Sequence, residues 1–167
     1  VLFEDLNEVE EALYNYNLKA EPKPKIKVVA LWDGWEDNNL GGKKTRIFQL
    51  GADSNKNPRK LCSNTLDLTA IAYDSANNWI NYDLLSQDAE VDMSSKSTLV
   101  NFLNWTHEYY DAKYEILQFS NHGGGPRAAL GNDGKKALCW DFTTGTTSEY
   151  FLKTKDVSDA LHEAGYG

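Results

Sequence analysis

A buried-strand pattern that ends at a histidine and three glycines constrains this chain most. The run from 114 to 126 reads Tyr-Glu-Ile-Leu-Gln-Phe-Ser-Asn-His-Gly-Gly-Gly-Pro and is apolar in its first half. A histidine at the carboxyl end of a central strand lies where open α/β sheets place their chemistry. The glycines after it let a backbone N–H approach a reacting carbonyl, because they carry no side chain. The pattern predicts a general base at His122 and half of an oxyanion hole at Gly123. The alternative is a glycine-rich turn in which the histidine makes only a structural hydrogen bond.

The rest of the chain alternates between helical and strand patterns. Apolar spacing predicts helices over 2–16, 98–110 and 155–164, and favours a helix in the ambiguous segment 68–85. Serines precede the second helix and are able to cap it. Continuous apolar runs predict strands over 26–32, 45–50, 114–120 and 137–142. This order predicts an α/β fold with a mostly parallel sheet covered on both faces. In the first helix the acidic residues are expected on the polar face: Glu4, Asp5, Glu8, Glu10 and Glu11.

Length and charge limit the function classes. The chain has 167 residues, enough for one domain with a core, and a formal net charge of -8. An acidic surface repels phosphate backbones, so nucleic-acid binding is disfavoured. No apolar run approaches the ~20 residues needed to span a bilayer. The chain has two cysteines, which is too few for a disulfide framework or a cysteine zinc site.

Several segments in a fixed order resemble the clostripain-like cysteine peptidases. The resemblance is carried by the helix pattern of 92–105, the strand and His-Gly motif of 114–125, the amino-terminal stretches 5–10, 28–33 and 45–50, and Asp141 with the final helix 157–161. It covers most of the chain and is weakest over 52–90. No single piece is diagnostic, but the ordered set is specific.

The resemblance implies a caspase-like three-layer α/β sandwich with a mostly parallel sheet, of which residues 1–167 form a single partial catalytic domain. His122 would be the histidine of a His/Cys dyad, and the amide of Gly123 would help to bind the oxyanion. The family's cysteine follows the next strand, so it is expected on a heavy chain from the same precursor. This chain would then be the light chain of an endopeptidase that cuts after arginine or lysine. The resemblance also implies a bacterial protein that is extracellular, periplasmic or in the cell envelope.

Two cysteines of the chain compete for the role of nucleophile. Cys139 follows two lysines that could favour its thiolate, yet a buried cysteine on a short strand is the commoner situation. Cys139 also matches no nucleophile of the family, so we interpret it as structural, and Cys62 likewise. The loop 123–136 carries basic residues, which suits self-cleavage by an enzyme of this specificity.

Metal and ligand sites are indicated only weakly. No cofactor is expected to be required. The acidic loop at the end of the first strand could bind calcium, although its spacing is not that of an EF-hand; its oxygen ligands would be Asp33, Glu36, Asp37, Asn38 and Asn39. His107 and His162 are interpreted as surface or helix-side histidines, and a zinc site is not expected. Of the five tryptophans, Trp32 and Trp105 fall on faces expected to be buried.

Two other classes of function stay open at the level of sequence. One is a caspase-like fold used as a non-catalytic binding or regulatory module, without a partner cysteine. The other is a calcium- or glycan-binding domain that uses the acidic loops and exposed tryptophans. A strand ending in cysteine after Gly167 would favour the enzyme, whereas metal-dependent melting without thiol sensitivity would favour the third class.

Overall fold

The computed structural model of the chain describes residues 2–19, 24–33, 45–54, 61, 65–67, 71–73, 79–81, 91–120, 137–140 and 151–167. The chain divides into two compact units. The first comprises Val1–Ile71 with Tyr82–Asp88, and the second comprises Ala72–Asn81 with Ala89–Gly167. Helices and strands occur in both, so the mixed α/β class expected from the sequence is confirmed.

The first unit packs one helix against a small antiparallel sheet. Helix α1 spans Leu2–Asn17, as predicted, and is followed by β1 (Val29–Asp33), β2 (Thr45–Gln49) and β3 (Leu66–Asp67). The sheet has the order β1-β2-β3, and both pairings are antiparallel. Its core contains Trp32, Phe48 and Leu50, against which the apolar stripe of α1 packs through Leu6, Val9 and Leu13. That stripe recurs at helical spacing, which is why this segment forms a helix only one side of which meets the sheet.

One acidic residue of α1 lies inside the unit, contrary to the sequence prediction. Glu10 is only 1% exposed. Its side chain accepts a hydrogen bond from the hydroxyl of Thr65, and its backbone carbonyl accepts one from the N–H of Asp53 at 3.1 Å. The Thr65 hydroxyl also accepts a hydrogen bond from the N–H of Gly51 at 3.2 Å. Buried carboxyl groups require hydrogen-bond partners. The hydrogen bonds of Glu10 connect α1 to Asp53 and Thr65.

The second unit is built on two helices and two small strand pairs. Helix α2 spans Lys96–Tyr109 and helix α3 spans Thr154–Glu163, close to the predicted ranges. Strands β6 (Ala137–Trp140) and β7 (Phe151–Lys153) pair antiparallel, and the short strands β4 (Ile71–Tyr73, of which Ile71 is assigned to the first unit) and β5 (Trp79–Asn81) pair with each other. The core is formed by buried apolar residues of α2, β7 and α3: Leu99, Val100, Leu103, Leu152, Ala160 and Ala164.

Two expectations about secondary structure are wrong, and a third is not confirmed. The helix favoured over 68–85 is wrong where the structure describes it, because 71–73 and 79–81 are strands. Short apolar runs are ambiguous between helix and strand, and these two contain strand-forming Ile, Tyr and Trp. The strand predicted over 114–120 is also wrong, since the structure assigns neither helix nor strand there. Finally, every described pairing with a defined register is antiparallel, so these pairs do not supply the mostly parallel sheet.

Candidate functional site

The two residues predicted to carry the chemistry, His122 and Gly123, lie outside the described residues. Their position in the fold and their roles therefore remain predictions. The structure does describe the thirty residues that lead up to them, 91–120, which comprise α2 and the segment after it. Residues 91–120 form the scaffold that precedes the candidate site in the sequence.

Helix α2 begins at a turn that is organised by Asp92. The Asp92 carboxylate accepts a hydrogen bond from the N–H of Ser94 at 2.8 Å, and its carbonyl accepts one from the Thr98 hydroxyl at 2.7 Å. Ser95 occupies the N-cap position, but its side chain makes no capping hydrogen bond. It lies 2.7 Å from the hydroxyl of Ser97 instead. A serine thus stands at the cap as predicted, while the ordering is done by Asp92.

The segment 114–120 runs from α2 toward His122 with its side chains on two alternating faces. Leu117 and Phe119 are half-buried and pack against the core of α2, β7 and α3. On the other face, Ile116 is 94% exposed and Tyr114 is 82% exposed. Alternation with a period of two is that of an extended chain. The apolar run recognised in the sequence therefore covers the helices with one face and leaves the other open.

Glu115 joins this segment to both helices. Its Oε2 lies 3.2 Å from Nε2 of His107, in the last turn of α2, and accepts a hydrogen bond from the hydroxyl of Tyr166. The rings of His107 and Tyr166 are also in contact, with centroids 4.7 Å apart. Burial raises the pKa of the Tyr166 phenol above its usual value, and the hydrogen bond to Glu115 and the charge of that carboxylate add to the effect. The phenol therefore keeps its proton and acts as the donor.

The end of α3 holds Tyr166 in place through a Schellman motif. The N–H of Tyr166 bonds to the carbonyl of Leu161 at 2.8 Å, and the N–H of Gly165 bonds to the carbonyl of His162 at 3.1 Å. Gly165 has a φ of 87°, which is in the left-handed region that glycine enters at little cost. The glycine-rich cap that ends the sequence thus fixes the backbone beside Glu115. The sequence pointed to the cap but not to the contact with Glu115 and His107.

Cys139 lies on β6 and packs against the same core as Leu117 and Phe119. Burial raises the pKa of its thiol to about 11. A thiol with such a pKa is protonated at neutral pH, whereas nucleophilic cysteines have lowered values. The geometry therefore agrees with the interpretation of Cys139 as a structural residue. Cys62 lies outside the described residues.

The described residues provide little toward a metal site. Of the acidic loop only Asp33 is described, and its carboxylate accepts a hydrogen bond from the Thr45 hydroxyl at 3.3 Å. Among the described residues no group of three or more His, Cys, Asp or Glu side chains could hold a metal ion. Calcium binding by the loop stays a prediction, as most of its predicted ligands are not described.

The tryptophans and histidines complete the comparison with the sequence predictions. Trp32 and Trp105 are buried, as expected, and therefore cannot serve as exposed sugar-binding surfaces. His162 is exposed on α3, as predicted. His107 lies on the side of α2, also as predicted, but its contact with Glu115 and Tyr166 gives it a specific partner. Within the part of the chain that is described, no helix is long and apolar enough to cross a bilayer.

Comparison with known proteins gives one match. The family model described as the clostripain family of peptidases matches residues 2–166, which includes every described residue except Gly167. The search of curated proteins gives no match, and neither does the search of solved structures.

Proposed function

The chain belongs to the clostripain family of peptidases, and from that premise we propose that it is the histidine-bearing light chain of a cysteine endopeptidase. The observation that carries the proposal is the family match over 2–166, which includes His122 and the glycines that follow it. His122 supplies the general base, and the amide of Gly123 supplies one oxyanion donor. A heavy chain from the same precursor supplies the cysteine.

In this proposal the reaction proceeds through an acyl-enzyme. His122 takes the proton of the partner's thiol, and the thiolate attacks the scissile carbonyl carbon. The resulting oxyanion accepts hydrogen bonds from the Gly123 N–H and from the N–H of the cysteine. His122 then gives its proton to the leaving amine as the carbon–nitrogen bond breaks. Water, activated by the neutral imidazole, hydrolyses the thioester and regenerates the thiol.

The state of Cys139 supports a nucleophile that comes from another chain. The burial that raises its pKa to about 11 leaves almost none of this thiol ionised at neutral pH. The open face of the segment 114–120, with Ile116 and Tyr114 exposed, is also consistent with a further polypeptide against this unit. We propose that the two chains together form the caspase-like sandwich.

Substrate class and location follow from the family in the same way. We propose cleavage after arginine or lysine, with acidic residues that pair with the basic side chain in the primary pocket. We also propose that the loop 123–136 is processed by the enzyme itself and that the protein acts outside the cytoplasm.

The direct test is replacement of His122 by alanine, with His162→Ala as the matched control. Activity is measured on peptides with arginine, lysine or alanine before the scissile bond, and folding by thermal melting. We expect His122→Ala to lower kcat by ~10³-fold or more, because members of a nucleophile–base pair act as a unit. The exposed His162 should be replaceable without loss. Turnover retained in His122→Ala would refute the assignment.

A second variant decides where the nucleophile is. Cys139→Ser should leave activity nearly unchanged if the partner supplies the cysteine. Complete loss of activity with an unchanged melting temperature would instead make Cys139 the nucleophile. Treatment of the wild type with iodoacetamide tests whether any thiol is needed, since a cysteine peptidase is inactivated by alkylation.

A further inference from the structure

We propose that His107, Glu115 and Tyr166 form a clamp that fixes the register of the segment 114–120 and thereby positions His122. The clamp residues come from three places in the second unit: the last turn of α2, the segment itself and the residue after the cap of α3. The inference rests on the proposed function, because it assigns positioning residues to the same site. We assign all three a positioning role rather than a catalytic one.

One face of the segment 114–120 meets the helices. Glu115, Leu117 and Phe119 alternate along the chain and therefore share one face. Leu117 and Phe119 pack against the apolar core, and Glu115 meets His107 and Tyr166. The exposure of Ile116 on the opposite face shows that the alternation is real. A shift of the segment by one residue would bury the wrong face.

Shifts of the segment by two residues keep the same face inward. A shift in one direction would place Phe119 where Leu117 packs, so that this contact with the core would stay apolar. Glu115 is not interchangeable, because a two-residue shift would bring Leu117 or, in the other direction, Lys113 to the Tyr166 hydroxyl and leave that donor without its carboxylate. Single polar residues at otherwise apolar interfaces are a well-attested way to specify register. The polar contact therefore selects one register among those that the apolar contacts allow.

Tyr166 and His107, which Glu115 contacts, are held in place by the helices. The Schellman motif of α3 fixes the Tyr166 backbone, with its N–H 2.8 Å from the Leu161 carbonyl. The His107 ring lies against the Tyr166 ring at a centroid distance of 4.7 Å, which restricts both side chains. Glu115 thus docks onto two groups whose positions are set by the helices rather than by the segment.

The consequence for His122 follows from chain geometry. A two-residue shift of an extended segment displaces its end by about 6.6 Å. Misplacement of a reacting group by only 1 Å can cost about 100-fold in rate. A clamp seven positions before His122 in the sequence is therefore expected to affect kcat.

The test uses the natively purified enzyme with its associated polypeptide. Tyr166→Phe keeps the ring contact and removes the hydroxyl, while Glu115→Gln keeps the shape and removes the charge. The matched controls are Tyr14→Phe, an exposed tyrosine of α1, and Glu108→Gln, an exposed glutamate of α2. Each variant is measured for kcat and KM, for melting temperature, and for the pH profile of inactivation by iodoacetamide, which reports the pairing of the catalytic thiol with His122.

We expect Tyr166→Phe and Glu115→Gln each to lower kcat about 10-fold with KM unchanged, and to move the acid limb of the inactivation profile to higher pH. The double variant should be no worse than either single variant, because the two residues form one contact. The controls should match the wild type. A kcat within two-fold of the wild type in both variants, with the pH profile unmoved, would overturn the proposal even if melting temperatures fell.

Failure of the proposed function is separable from failure of the clamp. If the wild type is insensitive to iodoacetamide and His122→Ala has no effect, the proposed function fails. Hydrogen exchange of the amides of 114–120 then decides about the clamp. Faster exchange in Tyr166→Phe than in Tyr14→Phe would support its role in register, and equal exchange would refute it.

Discussion

Gly165 is a residue whose backbone conformation, rather than its contacts, determines the end of α3. Its φ of 87° is strained for any residue with a Cβ, yet a Cβ placed there would meet no atom within 4 Å. Gly165→Ala should therefore cost about 1 kcal/mol of unfolding free energy from backbone strain alone. Gly167→Ala is the control, because its Cβ would also meet nothing and its φ is not in that region. Equal denaturant midpoints for the two variants would contradict this explanation.

Individual residues also show where the sequence pattern reached its limit. The buried faces of Trp32 and Trp105 were predictable because large aromatic side chains at helical or strand spacing seek the core. The burial of Glu10 was not, because periodicity places a glutamate on the polar face, whereas in the interior its carboxylate has the Thr65 hydroxyl, distant in sequence, as a hydrogen-bond partner. The partners of His107 were hidden for the same reason, as Glu115 and Tyr166 reach it through the fold.

At the start of α2, the residue that the sequence suggests as the cap is not the one that makes the hydrogen bonds. Serine at an N-cap usually stabilises a helix by ~1 kcal/mol relative to alanine. Since Ser95 makes no side-chain capping bond, we expect Ser95→Ala to change stability by less than about 0.5 kcal/mol. Asp92→Ala removes the carboxylate that accepts from the Ser94 N–H and should cost about 1 kcal/mol. Thermal or urea unfolding of both variants gives the comparison, and a larger loss for Ser95→Ala would refute it.

Elements with strong helical periodicity were predictable, while short and extended ones were not. Helices α1, α2 and α3 each present an apolar stripe long enough to exclude a strand. The runs that became β4 and β5 are three residues each, too short for either period to show. The segment 114–120 has the composition of a buried strand, but strand assignment needs a hydrogen-bonded neighbour, which sequence alone does not reveal. The candidate site stays a prediction from a motif, because His122 and Gly123 are named from their order along the chain and lie outside the described residues.

At the scale of the whole molecule, the proposed function requires a second polypeptide. A denaturing intact-mass spectrum of natively purified protein should show the 18.8 kDa chain together with a species that carries a cysteine, and a native spectrum should show their sum. A single stably folded species of 18.8 kDa would contradict the two-chain proposal. It would make the non-catalytic interpretation the stronger one, because Cys139 has the raised pKa of a buried thiol.

The open face of the segment 114–120 offers a position at which association with the second polypeptide can be tested by substitution. Ile116 is 94% exposed in the chain by itself, so Ile116→Lys should leave the melting temperature of the isolated chain unchanged. If the cysteine-bearing polypeptide covers this face, the same substitution buries an unpaired charge in the complex and should weaken association by 10-fold or more. Leu18→Lys, at a position that is 67% exposed after α1, is the control for a general effect of an added charge. Unaltered association of the Ile116→Lys variant would place the partner on another surface of the chain.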